Sequence, residues 1–66
     1  MTVSLGDIVR FKGAGPKSEV GRICKDNGLT VCVQFESSGC LRVGKADLEV
    51  TTGKAPECSQ NCKDGG

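Results

Sequence analysis

Thr30-Val31-Cys32-Val33-Gln34-Phe35-Glu36 decides the reading of this chain. Val31, Val33 and Phe35 alternate with Cys32 and Gln34, the period-2 pattern of a strand with one face in an apolar interior. A turn signal with glycine in third place stands on either side, Asp26-Asn27-Gly28 before it and Ser37-Ser38-Gly39 after it. Three-residue hairpin loops often place glycine where φ is positive. With such loops Ile23 faces Val31, Phe35 faces Leu41, Val33 faces Val43 and Gln34 faces Arg42. Directly opposed residues share a face, so Ile23, Val31, Val33, Phe35, Leu41 and Val43 fall together on the inner side.

Working outward, Ile8-Val9-Arg10-Phe11-Lys12 and Leu48-Glu49-Val50 have strand composition, and Lys45-Ala46-Asp47 suits a single tight 3₁₀ turn. The stretch 13–19 contains two glycines and a proline and reads as a loop, since these residues interrupt a ladder. No window supports a long amphipathic helix. Five short antiparallel strands with one apolar face and no helix cover that face by curling into a small barrel. Val9, Phe11, Val20, Leu48 and Val50 complete the expected core. Residues 51–66 are polar and end in Gly65-Gly66, so a disordered tail follows an expected domain over residues 1–50.

Two resemblances enter at this point. Gly6-Asp7-Ile8-Val9, a loop with glycine and lysine, then Gly21-Arg22-Ile23 resembles the opening of a KOW motif in SH3-like barrels of ribosomal and transcription proteins. Asn27-Gly28, Val33-Gln34-Phe35-Glu36, Leu41-Arg42 and Asp47-Leu48-Glu49 are similar to small SH3-like proteins of photosynthetic complexes, of the kinds found in photosystem I and on the ferredoxin side of the cyanobacterial NDH complex. These resemblances imply an all-β, five-stranded antiparallel SH3-like barrel that acts as an accessory or regulatory subunit through protein binding. The KOW likeness implies RNA binding as the alternative. Val33-Gln34-Phe35 is also similar to the Val-Gln-Ile strand of plasmid-type dihydrofolate reductase, an oligomeric enzyme; Phe35-Glu36 departs from its pattern.

Composition narrows the function classes. Nine basic and eight acidic residues give a net charge of +1, and there is no His, Trp or Tyr. That leaves no histidine base and few stacking residues for nucleic acid. A non-catalytic, monomeric module that needs no cofactor is expected. The N-terminus lacks the pattern of a secretory signal and no apolar run spans a bilayer, so the expected location is cytoplasmic, without membrane insertion. Lys12 and Lys17 bound the first loop, and Arg22, Gln34 and Arg42 lie on the outer face; these five are the candidate binding residues.

The five cysteines are Cys24, Cys32, Cys40, Cys58 and Cys62. An odd set argues against a secreted disulfide scaffold. Cys24, Cys32 and Cys40 point outward on successive strands, and Cys24 and Cys32 are diagonal neighbours roughly 7–8 Å apart. A disulfide usually spans about 4.4–6.8 Å between Cα atoms. The three are therefore expected as free thiols. Cys58 and Cys62, a Cys-x₃-Cys pair, are weak metal candidates, because two thiolates fill only half of a structural zinc site.

Overall fold

A computed structural model describes residues 3–13 and 19–64. The strands are β1 (Ile8–Phe11), β2 (Gly21–Asp26), β3 (Thr30–Phe35), β4 (Gly39–Gly44) and β5 (Leu48–Val50). A 3₁₀ turn, Lys45–Asp47, leads into β5, and one short helix, α1 (Gln60–Lys63), follows it. All pairs are antiparallel, in the order β4-β3-β2-β1-β5. The all-β, five-stranded antiparallel expectation is thereby met. Among the described residues no helix is long and apolar enough to cross a membrane.

Both hairpin registers differ from those expected, and in each case the inner face survives. In the first, the Asn27 amide donates to the Thr30 carbonyl at 2.8 Å, leaving Gly28 and Leu29 as a two-residue loop. Gly28 has φ +92° at the first central position, where type II′ turns need glycine. The Asp26 carboxylate accepts from its amide at 2.9 Å. Asp26 therefore pairs with Val31 and Lys25 with Cys32. Continued unchanged, this odd slip would turn Ile23 outward. A bulge between Ile23 and Lys25 absorbs one residue, so Ile23 pairs with Val33 and remains inside.

The second hairpin slips by two. Phe35 pairs with Gly39, Val33 with Leu41, and Val31 with Val43, so the loop is Glu36-Ser37-Ser38. An even slip preserves the face of every side chain. It also sets glycine against Phe35 and moves Leu41 to the margin, where it is 39% exposed.

The core consists of Val3, Val9, Ile23, Val31, Val33, Phe35 and Leu48, with Val43 packed against it. Phe11 is half-exposed but stacks on Phe35, ring centroids 5.5 Å apart and planes 12° from parallel. Val50, expected inside, is 55% exposed on an end strand. Val3 was not among the expected core residues. The turn after it carries it inward: the Asp7 carboxylate accepts from the Ser4 amide at 2.9 Å, and the Gly6 amide donates to the Ile23 carbonyl at 3.0 Å. Gly21 allows β2 to cross close to β3. A Cβ there would lie 2.5 Å from Val33 Cγ1 and 2.9 Å from Phe35 Cδ1.

Candidate functional site: the cysteine-stapled outer face

Cys32 and Gln34 project to the opposite side of β3 from the core. On that side the cysteines do not stand as three free surface thiols. Cys24 is bonded to Cys58 with Cα atoms 5.7 Å apart, and Cys40 to Cys62 with Cα atoms 5.5 Å apart. The free thiol is Cys32, and it is fully buried. The strand cysteines are indeed not bonded to one another. Their partners come from the C-terminal segment, 34 and 22 residues further along the chain, which strand register alone could not reveal.

The segment expected to be a disordered tail is thus fastened across β2, β3 and β4 through residue 64. Ser59 caps its single helical turn, its hydroxyl accepting from the Cys62 amide at 3.2 Å. That turn directs Cys62 to zero exposure. Lys25 Nζ adds a hydrogen bond to the Asp64 carbonyl at 3.4 Å. Cys24, Cys32 and Cys62 form one buried cluster, with Cys40 and Cys58 packed against it. Cys58 and Cys62, the weak metal candidates, have their sulfurs committed to bridges and are not available thiolates.

The candidate binding residues divide into two places. Arg22 pairs with Gln34, Gln34 with Cys40, and Arg42 with Cys32, so Arg22, Gln34 and Arg42 share the outer face. The expected pairing of Gln34 with Arg42 is corrected by the two-residue slip, which puts Gln34 between Arg22 and Cys40. Gln34 Nε2 donates to the Phe35 carbonyl at 3.3 Å, while its Oε1 is buried with no hydrogen-bond partner among the described residues. Neither arginine takes part in an ion pair among the described residues. The side chains paired there are Arg10 with Glu49 at 2.8 Å and Lys45 with Asp26 at 2.9 Å.

Lys12 is not part of this face. Its amide donates to the Asp47 carbonyl at 3.0 Å, and it lines a groove of about 320 Å³ with Val3, Leu48, Glu49 and Val50 on the β1–β5 side. Lys17 lies outside the described residues.

Two carboxylates order the loops at the ends of the strands. Glu19 accepts from the Ser37 amide at 2.7 Å and from the Ser38 hydroxyl at 3.1 Å. These bonds, the Ser37 amide foremost, lower its pKa. Asp26 is lowered first by its hydrogen bond with Lys45 and then by the Gly28 amide.

The sequence reading missed the coupling of the tail to the sheet. The available signal was numerical: two tail cysteines, spaced one helical turn apart, match two of three outward strand cysteines. Comparison with protein-family models, with curated proteins and with solved structures finds no match.

Proposed function

We infer that this chain is a non-catalytic protein-binding module of SH3-like architecture. The strand order, with β1 between β2 and β5, and the 3₁₀ turn before β5 support the architectural part. The binding part rests on one observation: Arg22 and Arg42 share the outer face without ion-pair partners among the described residues, beside a glutamine whose buried oxygen lacks a donor. Arginine binds carboxylates through charge-assisted, often bidentate hydrogen bonds. A partner protein presenting acidic side chains on both sides of the docked C-terminal segment suits this face. The two bridges favour an oxidising compartment over the cytoplasm.

The test begins with capture from the native host with and without nuclease, followed by NMR titration of the captured partner. Arg22→Ala combined with Arg42→Ala should weaken binding at least tenfold, about 1.4 kcal/mol, with the melting temperature nearly unchanged. Binding should also weaken as salt rises. Nuclease-sensitive capture would replace the protein partner by RNA. Shifts confined to the Lys12 groove would move the binding surface to the β1–β5 side.

A further inference from the structure

The outer face holds two disulfides and one thiol in a single cluster, and the thiol occupies its middle strand. β3 carries Cys32; its neighbours β2 and β4 carry Cys24 and Cys40, the strand halves of the two bridges. Helix α1 packs on all three strands and brings in Cys62, which like Cys32 is at zero exposure. The Asn27 side-chain amide donates to the Cys32 sulfur at 3.5 Å. Disulfides isomerise by thiolate attack on one of their sulfurs. A permanently placed thiol beside two bridges is the reactant such an exchange needs.

The fold selects which sulfur is attacked. A bond from Cys32 to Cys40 would join neighbouring strands at diagonal positions, since Cys32 pairs with Arg42 and Cys40 with Gln34, roughly 7–8 Å apart and beyond the usual reach of a disulfide. Cys24 stands at the bulge next to Lys25, the residue paired with Cys32, and a bond to it would cross-link two strands within the ladder. The ladders hold those strands in place. The sulfurs that can adjust belong to the C-terminal segment. Of these, Cys62 shares the buried cluster with Cys32, whereas Cys58 packs at its margin. The group displaced from Cys62 would be Cys40, half-buried on the end strand β4, where water can solvate the departing thiolate.

We propose that Cys32 and the Cys40–Cys62 bridge form a thiol–disulfide exchange site. The Cys32 thiol gives its proton to water and its thiolate attacks Cys62 Sγ. The Cys32–Cys62 bond forms as the Cys40–Cys62 bond breaks. The electron pair leaves on Cys40, which takes a proton from water. Two disulfides and one thiol are present before and after, so no external oxidant or reductant takes part. The exchange moves the reactive thiol from the interior to an end strand. There Cys40 can attack a small disulfide such as oxidised glutathione, forming a mixed disulfide and releasing one glutathione thiolate.

The test uses the unreduced wild-type protein. A brief treatment with iodoacetamide at mildly alkaline pH, and in parallel with oxidised glutathione, is stopped with acid. Peptides are mapped without reduction, with cleavage after Glu36 separating Cys32 from Cys40. The expected result is carbamidomethyl or glutathionyl label on Cys40 in molecules that contain a Cys32–Cys62 bridge. In Cys32→Ser the labelling of Cys40 should fall at least tenfold. Label on Cys32 with both original bridges intact overturns the proposal, as does native protein that takes no label until denaturant is added. Persistent Cys40 labelling in Cys32→Ser, which would trace to incomplete oxidation, overturns it as well.

Discussion

The two faces of the central sheet are held by different means. On the inner face, Val9, Ile23, Val31, Val33, Phe35 and Leu48 are buried against one another, and the stabilisation is that of apolar area removed from water. Fully burying one such aliphatic or aromatic side chain contributes about 1.5–3 kcal/mol. On the outer face the covering segment is mostly polar, and Cys62 is its only fully buried residue among those described. Burial cannot hold a segment of that composition. The bridges, closing separations of 34 and 22 residues, hold it mainly by restricting the unfolded chain. One sheet thus carries an interior assembled from area and a cover fixed by covalent bonds.

The largest loss of stability is expected at Phe35. Phe35→Ala should cost about 3–5 kcal/mol, and urea or thermal unfolding would show most or all of a small domain's stability gone. A variant that melts like the parent would mean that the inner face is not the main support. On the outer face, Cys24→Ser with Cys58→Ser should cost about 2–4 kcal/mol while far-UV circular dichroism still reports the sheet. If the melting temperature does not change, the bridge is ornamental and the segment is held by contacts. Gly21→Ala sharpens the inner side. Its new methyl group meets Val33 and Phe35, so a loss of about 1–3 kcal/mol is expected, in contrast to little change for Gly44→Ala, whose nearest neighbour is the end of the Asp47 side chain at 3.5 Å.

The smallest effect belongs to Glu19 at the surface. Its folded pKa is lowered by the Ser37 amide. Stability from this contact is therefore complete above the unfolded pKa and is lost as pH falls through the folded one. Melting temperature measured against pH should be flat near neutrality and decline slightly in the acidic carboxylate range. Glu19→Gln should remove part of that decline, and an identical profile in the variant would show that the contact with Ser37 and Ser38 has no energetic role.

The inner face was legible in the sequence because alternation is a local property. Val31, Val33 and Phe35 point the same way whatever strand lies beside them. The register was not legible: it depends on a single backbone bond from Asn27 to Thr30 and on a bulge beside Cys24 that no residue type announces. The slips still left Arg22, Gln34 and Arg42 on one face, because the second slip is even and the bulge converts the first, odd at the loop, into an even one at Arg22. Lys12 stands beside the first loop, but it follows directly on β1 and lines the groove next to β5 rather than the outer face. The cysteine pairing was hidden for a different reason. It depends on where a segment without periodicity returns to the sheet, and strand spacing carries no record of that return.

The bridges also interlace. Cys40 lies between Cys24 and Cys58 in the chain, and Cys58 lies between Cys40 and Cys62. A protease that nicks the backbone once anywhere between Cys24 and Cys62 therefore leaves both fragments in one covalent piece. A cut in the Gly28 or Ser38 turn is spanned by the Cys24–Cys58 bridge alone, and a cut between Val50 and Cys58 is spanned by both bridges. Such a nicked molecule migrates as intact on a gel run without reductant and separates only when the bridges are opened. Its connectivity is that of a closed network over this span, even though its backbone is a single open line.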